Sequence, residues 1–524
     1  MAGAPPNLVS LPSPSEWARS STEEALDRCD ALGACSETKG AILRRALTPA
    51  MRDAHALLRA WAERAGLVVQ VDALGNLRAR REGPPGSRTL VLGSHVDTVR
   101  DAGRYDGPLG VVLGLAVAEA LRDVALPFAL EVIAISDEEG VRFGRPFLGA
   151  RALAGTLDVE DLALRDADGV SLAEAIARFE ALDASSTNGF GGVDGIDACA
   201  IRPEDLLAYV EVHIEQGPVL ESLELPVGVV TGIAGHVWRT VTFEGRAGHA
   251  GTTPMTLRRD ALAAASELTL AVERLAQQTP GLVATVGQVV ARPGGNNVIA
   301  GRAELELDVR SIDARVLADA LATLDAQIAE IAARRGAKVS TRDRFASPPV
   351  VCAPALQTLL SESIRRVGLD VHALPSGAGH DGRILATLGP IAMLFVRSPE
   401  GLSHHPDERV HAIDVALALD VTLDFVRALA ARVSGVDSDS VAVADTVSVT
   451  DSVSVSAAVA DSVSATDTVS VTDTVSVTDT VSVADSVSVT DTASVSDSVS
   501  VSDSVSVSVS SALADSVSAE SRTS

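Results

Sequence analysis

The stretch TLVLGSHVDTV, residues 89–99, decides how the chain is read. Thr89–Leu92 is a short unbroken apolar run, and a polar cluster carrying His95 and Asp97 follows it at once. A strand without polar alternation is buried on both faces, which happens where helices cover a parallel sheet. The same succession recurs along the chain. Phe128–Ile135 runs into SDEEG with Asp137, Glu138 and Glu139, and Ile391–Val396 is followed by GLSHHPDE with His404 and His405. Helical patterns lie between, as over Pro108–Asp123 and Ala355–Val367. Strands alternating with helices give an α/β fold with a mainly parallel sheet. Such sheets place their sites beyond the carboxyl ends of the strands, where these polar clusters stand.

One stretch departs from this rhythm. It reads strand (Val237–Glu244), helix (Leu257–Gln278), strand (Val283–Val290), strand (Arg302–Ser311), helix (Ala314–Arg335), strand (Lys338–Arg344). That β-α-β-β-α-β order predicts a ferredoxin-like α+β domain inserted into the first. The expected division is residues 1–226 and 345–434 for the main domain, 227–344 for the insertion and 435–524 for a tail. Residues 184–199, rich in Ser, Gly and Asp, are expected to form a loop.

The tail is low in complexity, a repeat of about six residues such as DTVSVT. It holds 14 acidic residues from Val436 onward against the single Arg522. Apart from Leu513, Val is its only sizeable apolar side chain, and Asp shares the Val face, so disorder is expected over a β-solenoid. Nothing in it carries chemistry.

The whole chain has a formal charge of −27, and its only lysines are Lys39 and Lys338. A field of that sign repels nucleic acid and anionic membranes, which excludes both as expected partners. The four cysteines show neither C-x-x-C nor zinc-finger spacing, so free thiols in a reducing compartment are expected. With no secretory pattern at the start and no membrane-length apolar run, the expected location is the cytoplasm.

Candidate site residues follow the strands. His95 is a good zinc ligand, and Asp97 can hold its second ring nitrogen. Asp106 in GRYDGPLG stands before Pro108, where a helix N-cap is the competing reading. YVEVHIEQG alternates, putting Glu211, His213 and Glu215 on one face, which a strand with a polar outer face explains equally well. Taken together, His and carboxylate residues suffice for two divalent ions sharing a bridging carboxylate. The inserted stretch adds His249 in GRAGHAGTTPM, Asn296 and Asn297 in RPGGNNVIAG, and Arg310 ending LELDVRS. Arg310 reads either as an ion-pair member or as a clamp on a substrate carboxylate.

The order and wording of eight motifs now point to a family. GSHVDTV, RYDGPLGV, SDEEGVRFG, HIEQGPVLE, GHAGTTPM, LDVRS, SGAGHDG and GLSHHPDE resemble the hydantoinase/carbamoylase group of the M20 metallopeptidase-like amidohydrolases. That group includes N-carbamoyl-L-amino acid hydrolases, allantoate amidohydrolases and β-ureidopropionases. The resemblance runs from about Glu16 to Val433 and leaves the tail without a counterpart. It implies a site of two divalent ions (Zn, Mn, Co or Ni), one held by His95 and His213 and the other by Glu139 and His404, with Asp106 bridging them. It makes Glu138 the general base, Asp97 the partner of His95, and His249 the stabiliser of the developing oxyanion. Gln216, Asn297 and Arg310 would bind substrate, Arg310 taking its carboxylate. The insertion would close as a lid and form a homodimer contact, and His249 would then be able to serve the neighbouring subunit.

The chemistry implied is cleavage of a ureido C–N bond in a small carboxylate-bearing substrate, an N-carbamoyl-L-amino acid first and allantoate as the alternative. A ureido carbonyl is a weak electrophile because two nitrogens donate into it, so metal polarisation and an activated water are needed. Glu138 would move the proton to the leaving nitrogen, and each well-placed oxyanion donor contributes about 3 kcal/mol. A two-metal aminopeptidase or N-acyl amino acid deacylase is the next reading; His213 stands where peptidase relatives present a carboxylate, which counts against it. A non-catalytic binding protein is disfavoured by the presence of Glu138 with all five ligand positions. Three residues depart from the family pattern: His236 stands in place of Gln, Gly382 in place of Ala and Arg397 in place of Pro.

Overall fold

The structure is a computed structural model that describes residues 11–182, 192–435, 487–489 and 507–509. Its first strands are β1 (Val68–Val71), β2 (Leu77–Arg81), β3 (Thr89–His95), β4 (Ala129–Ile135), β5 (Leu206–Ile214) and β6 (Val227–Ile233). Then come β7 (Gly235–Glu244), β8 (Gly248–His249), β9 (Leu282–Arg292), β10 (Val298–Ile299), β11 (Arg302–Ser311) and β12 (Lys338–Ser347). The main part closes with β13 (Val350–Val351), β14 (Ala373–Ser376) and β15 (Ile391–Val396).

Nine strands form one sheet in the order β1-β2-β4-β3-β5-β15-β6-β13, with β14 beside β6. Its centre is parallel: β4, β3, β5 and β15 all run the same way. Every residue of these four strands is buried. The cause is two-sided cover. Leu90 and Leu92 pack into one hydrophobic core with helices Glu16–Ala34, Pro108–Ala120 and Ala412–Val433. Val91, between them, enters a second core with Ile133, Tyr209, Met393 and Phe395. Successive side chains of a strand point to opposite faces, so both faces of β3 must be apolar.

The inserted stretch folds as a separate four-stranded antiparallel sheet in the order β12-β7-β11-β9. Helices Ala261–Gln278 and Ala314–Arg335 cover one face, meeting Ala303, Leu305, Leu307 and Val309 of β11. The other face carries the alternate residues, Asp308 and Arg310 among them.

Several expectations are corrected. β6 pairs within the large sheet, so the second sheet begins at Gly235 rather than at residue 227, and it runs on to Ser347. The helix expected from Leu257 starts at Ala261, because Asp260 accepts the amides of Leu262 and Ala263 and so caps it. Helix Pro108–Ala120 stops short of Asp123. Of the loop expected over 184–199, Gly192–Cys199 is a 3-10 helix. β5 has no polar outer face, since Glu211 and His213 are as buried as the valines beside them. Most of the tail lies outside the described residues; Val487–Val489 and Val507–Val509 pair there in parallel. Among the described residues no helix is long and apolar enough to cross a membrane.

Candidate metal centre

The carboxyl ends of the four central strands deliver the polar clusters to one edge. β3 ends on His95, β4 leads into Asp137, Glu138 and Glu139, β5 carries His213, and the segment after β15 brings Ser403 and His404. Asp106 is no helix cap. Helix Pro108–Ala120 takes Gly107 as its N-cap without a side-chain bond, which leaves the Asp106 carboxylate free to face the cluster. Only glycine fits at 107: its φ is +81°, and a Cβ there would lie 2.5 Å from the His95 ring.

Asp106 joins the cluster together. Its Oδ1 lies 3.2 Å from His95 Nε2 and 3.3 Å from His213 Nε2, while Oδ2 lies 3.4 Å from His404 Nε2. His404 Nε2 is also 3.3 Å from Glu139 Oε1. Ligand atoms of His95, Asp106 and His213 fall within 4.8 Å of one another, and so do those of Asp106, Glu139 and His404. The two groups share one carboxylate.

Hydrogen bonding sets the two buried imidazoles. His213 Nδ1 is 2.8 Å from the Ile214 carbonyl and His95 Nδ1 is 3.0 Å from the Asp97 carbonyl. A carbonyl oxygen only accepts, so each Nδ1 carries the proton and each Nε2 faces Asp106. The Asp97 carboxylate stands 3.8 Å from His95 Nδ1, within ion-pair distance. Its oxygens also accept the backbone amides of Glu138 (3.0 Å) and Glu139 (3.1 Å), fixing the turn that presents both glutamates.

Asp97, Asp106, Asp137, Glu138, Glu211 and Asp381 are all buried here. Among the described residues, no Arg or Lys forms an ion pair with any of them; Asp97 and Asp106 pair with histidines. Burial drives the Glu138 carboxyl well above its usual range, and the nearby Glu139 charge adds to the shift. Burial also opposes charge on His95, yet the hydrogen bond to Asp106 and the charges of Glu138 and Asp97 hold it well above the ordinary imidazole. The bond and charge of Glu139 raise His404 to about 9, against a partial loss from burial. So much buried negative charge needs cations. Imidazole nitrogens and carboxylates at these spacings fit divalent metal ions.

Other predicted residues fall in different places. Gln216 reaches the cluster from the β5 end, its Nε2 donating to Asp106 Oδ2 at 2.7 Å. Gln216, His404 and Asp137 all have φ near +60°, in the left-handed region that non-glycine residues adopt only at a cost of about 1–3 kcal/mol. His249 and Asn297 are exposed together on the β8–β10 pair and make no hydrogen bond or ion pair with the cluster. Arg310 is bound by Asp308 through Nε (2.8 Å) and Nη2 (2.6 Å) and donates from Nη1 to the Gly377 carbonyl at 2.5 Å.

Some residues escaped the sequence reading. His380 is buried with its ring 4.6 Å from that of His213, its Nε2 hydrogen-bonded to Ser376 at 2.8 Å. Glu211, His213 and His380 form a further close group. The signal was present in SGAGHDG, which places a His and an Asp after a strand. Glu408 accepts backbone amides beside Asp106 and closes the motif SHHPDE. Ser403 donates a hydrogen bond to Asp106.

Ligand groups that share a carboxylate at the carboxyl edge of a parallel sheet characterise the metal-dependent hydrolases. The chain belongs to peptidase family M20/M25/M40, whose model matches residues 91–428. It is 41% identical over 397 residues to an N-carbamoyl-L-amino acid amidohydrolase of Geobacillus stearothermophilus, covering 75% of this chain and 95% of that protein. It is 36% identical over 436 residues to an allantoate deiminase of Arabidopsis thaliana, covering 77% and 82% respectively. Among solved structures it resembles a hydantoinase/carbamoylase family amidase from Burkholderia multivorans, with a TM-score of 0.72, 34% identity, and coverage of 78% of this chain and 98% of that one.

Proposed function

We propose that this hydrolase cleaves the ureido C–N bond of an N-carbamoyl-L-amino acid, releasing ammonia, carbon dioxide and the free amino acid. The observation that carries the reading is Asp106, whose two oxygens face two ligand groups with Glu138 alongside. The similarity to an N-carbamoyl-L-amino acid amidohydrolase supports it. An allantoate substrate is the second reading, supported by the likeness to allantoate deiminases of plants.

His95, His213 and Asp106 would hold one divalent ion, and Asp106, Glu139 and His404 a second. When bound, such ions polarise a carbonyl and acidify water. The remaining work falls to side chains. Glu138, a buried carboxylate of raised pKa, takes the proton of the attacking water and delivers it to the leaving nitrogen. Asp97 holds the Glu138 and Glu139 backbone in place through its two amide bonds. Gln216 orients the ureido end. Arg310 still has two N–H groups beyond those given to Asp308 and Gly377, and these receive the substrate carboxylate.

The second sheet, Gly235–Ser347, acts as a lid and as the contact of a homodimer. His249 and Asn297 stand exposed at the neighbouring β8–β10 pair, where closure or a second subunit can bring them to a tetrahedral oxyanion. The compartment is the cytoplasm, in keeping with four free cysteines.

The test is ammonia release by metal-loaded enzyme from an N-carbamoyl-L-amino acid, β-ureidopropionate and allantoate. Preference for the first supports the reading, and preference for allantoate selects the second. Cleavage of a dipeptide or N-acyl amino acid with no ammonia from any ureido acid overturns both.

A further inference from the structure

The uncovered face of the second sheet has a defined chemistry. β7 places His236 and Trp238 on that face, and register sets Trp238 between Phe345 and Asp308, and His236 between Ser347 and Arg310. Across β9, Asp308 meets Thr285 and Arg310 meets Val283. The face is therefore an aromatic row beside a carboxylate-binding row. It lines a cavity of 690 Å³ that Trp238, Val283, Ile312 and Arg310 share with Ala234 and Pro375. That size suits a small-molecule substrate. Ser376, which lines the cavity, hydrogen-bonds His380, whose ring packs against that of His213.

Two large apolar side chains are open to this cavity: Trp238 is 44% exposed and Val283 64%. The indole is held in place by its N–H to Asp308 Oδ2 at 3.1 Å and by the Phe345 ring, 5.4 Å away. With the N–H used, it offers the cavity only its ring surface. Asp308 holds Trp238 and Arg310 at once, so the apolar platform and the carboxylate anchor keep a fixed separation.

We infer that Trp238 and Val283 form the side-chain subsite, and that the substrate class is N-carbamoyl α-amino acids with aromatic or long apolar side chains. This rests on the ureido reading and on Arg310 as the carboxylate anchor. An α-substituent starts one carbon from the anchored carboxylate, which directs it onto the adjoining aromatic row. β-Ureidopropionate has no substituent to place there. Allantoate would lay a second ureido group on indole and valine surface in place of an apolar side chain and forfeit that apolar burial.

The experiment compares N-carbamoyl-L-phenylalanine, N-carbamoylglycine, β-ureidopropionate and allantoate on the full-length enzyme, by kcat/KM and by calorimetric binding. Phenylalanine's derivative should be favoured over the glycine one by about tenfold or more in both measures. Trp238→Ala should remove that preference. Val283→Ser, whose side chain takes no part in holding Asp308 or Arg310, should reduce it severalfold. Equal loss on all substrates, or preference for allantoate or β-ureidopropionate, overturns the subsite. A calorimetric preference that vanishes in Val283→Ser, without ammonia from any substrate, upholds the subsite and removes the ureido reading instead.

Discussion

Glu408 Oε1 accepts the backbone N–H groups of Tyr105 (2.7 Å) and Asp106 (3.1 Å), tying the loop after β15 to the loop that presents the shared carboxylate. Gly103 makes room for it, since a Cβ there would stand 2.3 Å from the Glu408 side chain. Gly103→Ala should therefore push Glu408 away and misplace Asp106. Metal affinity or kcat/KM is expected to fall about 10–100-fold, the usual scale for groups that orient ligands. Glu408→Gln keeps an accepting oxygen and should retain most activity. Metal titration of both variants checks this, and a harmless Gly103→Ala would refute it.

Glu138→Gln should lower kcat by about 10²–10⁴ with KM little changed, because the amide can neither take nor return the proton. Metal content should stay that of the parent, as Glu139 and Asp106 are untouched. Ammonia assays beside metal analysis decide it. Unchanged turnover would remove Glu138 from the role of base.

Chelation should abolish turnover, and adding back Zn, Mn, Co or Ni should restore it. Thermal stability should respond too, because the folded cluster holds buried carboxylates that the ions neutralise. A ligand at 100 times its Kd stabilises by about 2.7 kcal/mol. Full activity in exhaustively chelated enzyme, verified by elemental analysis, would end the metal proposal.

Arg397, at a position where the family pattern has proline, donates from Nε and Nη2 to Asp414 at 2.7 Å each, and Asp414 is fully buried. Arg397→Ala strands that carboxylate and should cost about 3–5 kcal/mol. Arg397→Met with Asp414→Leu should recover most of the loss. Urea unfolding of the three proteins measures this, and a cost below about 1 kcal/mol for the single variant would contradict it.

Burial lowers the His55 pKa to about 3 in the folded chain, with the charges of Arg59 and Arg44 adding to the effect. Above pH 6.5 the ring is neutral in both states and adds no pH dependence. Below that, the unfolded chain binds a proton that the folded chain refuses until about pH 3. Stability should fall with acid across this window by up to about 1.4 kcal/mol per pH unit from this residue. His55→Leu should flatten the slope; identical slopes in the two proteins would disprove the assignment.

Much of the framework was legible in the sequence because its signals are local. β15 and β11 lie where their apolar pattern put them, and helix Ala314–Arg335 spans its expected limits between the Asp313 cap and Gly336. The misses are also local in origin: a cap at Asp260 outweighed the helical pattern from Leu257. β5 was misjudged for a different reason. Alternating Val and Glu look like a half-solvated strand, and only the two-sided cover of the sheet shows that Glu211 and His213 are buried.

By itself, then, the sequence determined the α/β class and named the residues able to bind metal, because periodicity, caps and motif wording are carried by neighbouring residues. Tertiary structure alone decided how they combine. Parallel register brings His95, Asp106, Glu139, His213 and His404 within reach of one another. The same packing gave the Asp97 carboxylate to the Glu138 turn, brought His380 against His213, and set Trp238 opposite Asp308. Contacts between residues far apart in sequence depend on which strands pair and in what register, and that is settled by burying both faces of a sheet at once, a property of the whole chain that no single segment contains.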